Sequence, residues 1–259
     1  QELIVRQLMR IESGASQPSL PKLDYIARRL GIPAYSLMPD FTALPSGYLE
    51  LKYQVLREPI YGKEEEYDKK EACLEEIENL FYEQIPSEEK VWFDATRATV
   101  DVIRSGRSEY GETVLDDYFK KIYNKELFLI NELEVINLYF ATVLTKIKQG
   151  HNQNLEIDRI HSFLFHLTNH VELIAPEYLF ALSNTLFSGL ACLDNLSSYD
   201  SLSTYIFSLN QIMEKTQDFQ KKPIVLMLEW KLSLIIEKDY VSAEQLYQKS
   251  KIFADIIGN

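Results

Sequence analysis

The chain has 259 residues, of which 46% are hydrophobic and 25% charged, with only 9 Gly and 9 Pro. Such a composition can bury a sizeable core, and it excludes a mainly disordered chain, a collagen-like repeat and a turn-rich all-β fold. The net charge of −12 is uneven, with +2 on residues 1–38 and −14 on the rest; an acidic body argues against broad nucleic-acid binding, and a slightly basic end implies a division of labour.

No run of 18 or more apolar residues occurs, so no membrane span is expected. The chain opens on Gln1 rather than Met and shows no signal-peptide pattern, which reads as a trimmed N-terminus. Cys73 and Cys192 form no disulfide framework, and a reducing cytosol is the expected compartment.

Two short helices are predicted first. Leu3, Leu8 and Ile11 form one apolar stripe, closed by Gly14. Leu20, Leu23, Ile26, Ala27 and Leu30 form a second, with Ser19 as N-cap, Pro21 in the first turn and Gly31 as stop. Two helices of about ten residues cannot bury a core by themselves. Pro33, Pro39, Pro45 and Gly47 then interrupt any helical period, because proline lacks a backbone donor and restricts the residue before it. The expected division is therefore 1–44, a linker helix over 45–62, and a large helical domain over 63–259.

Beyond Gly47 the apolar spacing is helical almost throughout. Helices are predicted over 48–56, 68–85, 88–104, 109–122, 127–148, 154–171, 176–193, 199–216, 222–237 and 241–256. Ser87 is the expected cap of the third of these, with Glu88 and Glu89 in its first turn. Helix pairs opening near Leu127, Pro176 and Pro223 recur at 49 and 47 positions, close to the period of tetratricopeptide-like (TPR-like) solenoids. The expected fold is all-α: a short N-terminal unit followed by a helical-repeat superhelix whose concave face suits an extended peptide.

Enzyme signatures do not survive inspection. Gly106 to Thr113 nearly fits a phosphate-binding loop, but Glu112 stands where the lysine belongs and would repel phosphate, so the segment reads as a helix–helix turn. His166 and His170 share a helical face and His161 lies round the side; without further ligands they read as ordinary polar histidines. Glu64-Glu65-Glu66 and Glu75-Glu76 read as solvated faces. The 16 Tyr and 13 Phe sit mostly at core spacing. No catalytic residue, metal site or cofactor is expected.

The segment Glu2–Gly14, followed by Pro18-Ser19-Leu20 and Leu23-x-x-Ile26-Ala27-x-x-Leu30-Gly31, resembles the second half of a Cro/phage-repressor-type helix-turn-helix domain. That resemblance makes Leu3–Glu12 the recognition helix, with Val5, Arg6, Gln7 and Arg10 as the DNA-binding candidates. Arg6 and Arg10 are four apart and share a face; arginine can bind guanine O6 and N7 with a two-pronged donor, and glutamine can pair with adenine. The competing reading is ordinary surface arginines. Lys22, Arg28 and Arg29 read as phosphate contacts or as solvated charges.

Over nearly its whole length the chain is similar to the Rgg family of streptococcal peptide-sensing regulators, most of all to the ComR subgroup. The likeness is carried by Tyr25-Ile26-Ala27-x-Arg29-Leu30-Gly31, Pro45-x-x-Tyr48-x-x-x-Lys52, Pro59-x-Tyr61 and Ile85-Pro86-x-Glu88-Glu89. Relative to that family the chain lacks two opening helices and a last C-terminal helix.

The resemblance implies a cytoplasmic transcription regulator of competence that binds a short imported hydrophobic pheromone in its repeat domain, is thereby released, and dimerises on double-stranded promoter DNA. It implies a resting clamp between Arg6 or Arg10 and Glu88 or Glu89. It also places Lys70 near the peptide. Asn137 and Asn184, at matching positions in successive repeats, could serve the peptide backbone, since an amide both donates and accepts. Lys231 could meet its carboxylate. The four could equally be surface or interhelix polar residues, and Phe140, Phe180, Phe187 and Met227 either line the site or pack. A repeat scaffold that binds a protein partner without touching DNA is the alternative function. A repeat regulator with no helix-turn-helix is disfavoured by Arg10-Ile11-Glu12-x-Gly14.

Overall fold

The computed structural model describes residues 5–13, 18–37, 44–58, 63–126, 128–151, 157–174 and 176–257. Among them the chain forms twelve α-helices and no strand. It divides into two compact units, Gln1–Leu49 and Glu50–Asn259.

In the first unit, α1 is Val5–Glu12 and α2 is Leu20–Leu30, followed by a 3-10 turn at Ala34–Leu37. The stops of α2 are those that the residues dictate. Pro21 sits in its first turn, and Gly31 takes a left-handed φ of 68° while its N–H closes onto the carbonyls of Ala27 and Arg28. Ser19 holds the extended cap position, but its hydroxyl makes no capping bond; its carbonyl instead accepts from the Lys22 and Leu23 N–H groups. Leu3 and the Gly14 cap lie outside the described residues. Leu8 is 36% exposed rather than turned inward, while Ile11 is half-buried.

Helix α3, Ser46–Arg57, starts in the first unit and ends in the second. Then follow α4 (Glu64–Leu80), α5 (Ser87–Ser105), α6 (Glu109–Ile122), α7 (Ile130–Lys148), α8 (Ile157–Thr168), α9 (Leu179–Asn195), α10 (Leu202–Thr216), α11 (Lys222–Lys231) and α12 (Tyr240–Ile257). From α5 on, neighbours in the chain pack on one another: α5 with α6, α8 with α9, α9 with α10, and α11 with α12. The first helices α5, α7 and α9 lie side by side along the solenoid.

Several boundaries depart from the sequence expectation, three of them in instructive ways. Helix α4 opens at Glu64, a turn before Asp68, because Glu66 reaches back to the Lys63 N–H and closes a capping box. Pro86, not Ser87, holds the cap position of α5. Helix α11 does not run as one α-helix to 237: it widens into a π-helical turn at Leu232–Glu237, which ends at Lys238 with a left-handed φ of 57°.

The core is apolar and aromatic. Phe163 of α8 meets the rings of Phe119, Phe128, Tyr139 and Phe140, all with centroids within 6.3 Å. Phe140 is therefore packing, not pocket lining. Helices α7, α8 and α9 approach so closely that a Cβ on Gly189 would sit 2.7 Å from a Leu164 methyl and 2.8 Å from the Phe140 ring. Gly189→Val is expected to lower stability by about 1–3 kcal/mol through overpacking. Urea unfolding followed by circular dichroism measures it, and an unchanged midpoint would mean that the helices separate at no cost.

Candidate functional site

The inner faces of α4, α7 and α9 bring polar residues together inside an otherwise apolar superhelix. Lys70 on α4 and Glu134 on α7 are 8% and 4% exposed. Burial lowers the Lys70 pKa, against the pull of Glu134. Burial raises the Glu134 pKa, against Lys70, Asn137 and Lys52. A chain of hydrogen bonds leads onward from Glu134. Asn137 Nδ2 donates to Glu134 Oε2 at 3.3 Å, and the Ser188 hydroxyl donates to Asn137 Oδ1 at 2.6 Å. The same hydroxyl lies 3.1 Å from the Asn184 carbonyl, and Lys221 Nζ donates to Asn184 Oδ1.

Three of the four residues that the sequence nominated for peptide contact, Lys70, Asn137 and Asn184, thus belong to one connected region. Lys231 does not. It pairs with Asp194 at 2.5 Å, near the C-terminal end of α9. At 1.5 Å of rise per residue, Asp194 is about 15 Å along the helix from Asn184.

The end of this polar chain opens on a pocket of about 30 Å³. Its walls include Leu56 of α3, Phe180 of α9, Ile212 and Met213 of α10, and Lys221 in the turn before α11. Arg57 stands at the rim, its guanidinium 4.9 Å from the Phe180 ring centre. A volume that accommodates about two waters is too small for a peptide side chain, so an occupant has to push the walls apart. A hydrogen bond from α9 reaches the wall that α3 contributes. Helix α3 stops at Arg57, two residues before Pro59, and leaves its last carbonyls without helical partners. Asn184 Nδ2, 128 residues away in the chain, donates to one of them, Leu56 O, at 3.2 Å.

A second buried polar centre anchors the same helix. Lys52 Nζ of α3 lies 2.6 Å from Glu89 Oε2 of α5 and 2.9 Å from Asn131 Oδ1 of α7. It also stands 4.9 Å from the Trp92 ring centre. Asn131 Nδ2 donates to Glu89 Oε1 at 3.1 Å and to the Glu88 carbonyl at 2.7 Å. Of the two acids nominated for a clamp, Glu89 is 2% exposed and committed to Lys52, whereas Glu88 is exposed. Nothing in the sequence marks Lys52 as the partner of Glu89, nor Lys221 as a pocket residue; each depends on helices far apart in the chain.

On α1, Arg10 is exposed, Val5 is 71% exposed and Gln7 is half-buried. The Arg6 side chain lies outside the described residues. His170 sits in the 3-10 turn after α8 and uses both ring nitrogens: Nε2 accepts from the Phe128 N–H at 2.8 Å, and Nδ1 donates to the His166 carbonyl at 2.9 Å. His161 lies between the Tyr205 and Ser198 hydroxyls. Among the described residues no group of three or more His, Cys, Asp or Glu is placed to hold a metal ion. No described helix is long and apolar enough to cross a membrane. Gly106, at a φ of 65°, ends α5, so the near-match to a phosphate loop is a helix–helix turn.

A family model described as ComR tetratricopeptide matches residues 45–259. No curated protein matches the chain. Among solved structures, the chain is similar to ComR from Streptococcus suis, with 38% identity over 99% of this chain and 82% of that one, at a TM-score of 0.64. It is similar to ComR from S. thermophilus, solved with DNA and its signalling peptide ComS, with 27% identity over 100% and 86% of the two chains and a TM-score of 0.70. It is also similar to the competence regulator ComR of Streptococcus vestibularis, solved with its cognate signalling peptide XIP, with 31% identity over 100% and 85% and a TM-score of 0.71.

The bond between Asn184 and α3 can be cut by one substitution. Asn184→Asp removes the donor to Leu56 O but keeps an oxygen for Lys221. Amide exchange at residues 54–58 is expected to rise several-fold while exchange in α7 stays unchanged, as measured by hydrogen–deuterium exchange mass spectrometry. Unchanged protection at 54–58 would mean that the end of α3 is held by other contacts.

Proposed function

The chain belongs to the ComR tetratricopeptide family, and on that footing we propose that it is a cytoplasmic competence regulator that binds a short hydrophobic signalling peptide and then promoter DNA. The observation that carries this reading is the pocket at the end of the buried polar chain, walled partly by the helix that leads from the first unit into the second. A peptide there would find amide groups for its backbone in Asn137 and Asn184 and apolar walls for its side chains. The solved relatives from S. thermophilus and S. vestibularis, each in complex with a signalling peptide, support the same ligand class.

In this reading residues 1–44 are the second half of a helix-turn-helix domain, 45–62 the linker, and 63–259 the peptide-sensing repeat domain. Val5, Arg6, Gln7 and Arg10 of α1 read the DNA, and the active form is a homodimer on an inverted repeat. The S. thermophilus relative solved with DNA supports nucleic acid as a partner. Glu88, exposed at the start of α5, is the better candidate for a resting clamp on Arg6 or Arg10, because Glu89 already has its counter-ion. An exposed pair contributes only about 0–1 kcal/mol, so Glu88 acts with other contacts. Lys70 belongs to the peptide site through Glu134, whereas Lys231 has the less direct claim, being paired with Asp194. The reading needs no cofactor and no catalytic group.

The test follows a labelled inverted-repeat DNA by fluorescence anisotropy, with a panel of hydrophobic octapeptides. One peptide is expected to tighten DNA binding by at least about ten-fold. Arg6→Ala and Arg10→Ala are each expected to weaken the peptide-bound complex by about ten-fold or more. Equal DNA binding with and without every peptide would remove the ligand-controlled lock and leave a repeat scaffold for a protein partner.

A further inference from the structure

Helix α4 carries eight acidic side chains and two basic ones over Glu64–Leu80, in a protein whose net charge is already −12. Its buried stripe is narrow. Tyr67, Lys70, Leu74 and Ile77 supply little more than one residue per turn, and one of the four is a lysine. Such a stripe buries little apolar surface, while like charge pushes the helix away from the acidic body. Toward α3 the ties are weak: Lys69 meets Glu58 at 3.9 Å, and Cys73 Sγ lies 3.7 Å from Gln54 Oε1.

Two arginines on α5 oppose the repulsion. Arg104, in the last turn of α5, binds Glu64, Asp68 and Glu71, with Asp68 Oδ1 2.9 Å from Nη2. The three carboxylates are four and three residues apart, so they share one face over two turns of α4. Arg97, seven residues earlier in α5, binds Glu78, seven residues later in α4. Equal spacing in opposite order makes an antiparallel ionic seam. Asp101 lies between the two arginines on α5 and feels the charge of Glu71, so without Arg104 the seam would set acid against acid. The seam is open to solvent ions: the Arg104 side chain is 32% exposed, and those of Glu64 and Asp68 are 66% and 61%. Exposed ion pairs weaken as salt rises.

We propose that α4 is an ionically latched strap, held on α5 by Arg104 and Arg97, which a rise in ionic strength releases while the rest of the superhelix stays folded. Release uncovers Lys70 and Glu134, which the docked strap keeps buried. Neither peptide nor DNA enters the device, so it stands or falls apart from the functional reading.

The test is hydrogen–deuterium exchange of the unliganded chain in about 0.1 M and about 1 M NaCl, between which the screening length falls from about 10 Å to about 3 Å. Exchange at residues 64–80 is expected to rise about three- to ten-fold with salt, while α7 and α9 keep their protection. Arg104→Met is expected to exchange quickly at 64–80 already in low salt and to show no further rise. The triple variant Glu64→Gln, Asp68→Asn, Glu71→Gln takes the charges from the other side of the seam and is also expected to lose the salt response. Should Arg104→Met raise exchange throughout the chain, the triple variant decides. A strap that ignores salt in the unmodified chain, or a salt response that survives the triple variant or a folded Arg104→Met, overturns the latch.

Discussion

Burying an ammonium is costly without opposite charge beside it, and Lys52 finds that charge in Glu89 of a neighbouring helix. Taking such a charge out of water costs several kcal/mol unless opposite charge and hydrogen bonds replace the lost hydration. Glu89 supplies the charge, and Asn131 supplies an acceptor while it binds Glu89 from the other side. The three residues come from α3, α5 and α7. A helix held by apolar contacts alone can slide by a turn; one that carries a buried charge cannot, because every other register leaves that charge unpaired. The position of α3 on the solenoid follows from this centre, and so does the wall that α3 lends to the pocket.

The polar groups beyond it obey the same constraint less completely. Glu134 and Lys70 lie close enough to shift each other's ionisation, yet no direct ion pair links them among the described residues. Asn137, Ser188 and Asn184 carry hydrogen bonds from Glu134 to Lys221, which has no ion pair among the described residues. A core fully closed on itself would have no such loose end. Because Asn184 also caps α3, the groups that would take a ligand and the groups that fix the linker helix are the same groups.

Much of the helical order was legible in the residues. The 3.6-residue spacing of apolar side chains located most helices, because each must bury a stripe against its neighbours. Proline and glycine marked the stops, as Gly31 and Gly106 show in their left-handed backbones. The recurrence of helix pairs near Leu127, Pro176 and Pro223 announced the solenoid. Boundaries were less legible where a side chain decides them, as at Glu66 with the Lys63 N–H, or where the helical period changes, as in the π turn after Lys231. The inward face of α1 was misjudged at Leu8, since eight residues with a short stripe leave the direction of burial open.

The sequence by itself determined that the chain is all-helical, that its repeats stack, that its two ends differ in charge, and which family it resembles; these follow from local spacing and composition. It also nominated Asn137 and Asn184, because polar residues at recurring helical positions are readable one helix at a time, and Lys70 through the family resemblance. Only the tertiary structure decided that Lys52 belongs to Glu89, that Asn184 holds the end of α3, that Lys231 is neutralised by Asp194, and that Lys221 lines the pocket. Each of these joins residues from 37 to 128 positions apart. Pairing over such distances is set by how helices cross and by the cost of leaving a buried charge or carbonyl unmatched, and neither quantity is carried by a local stretch of sequence.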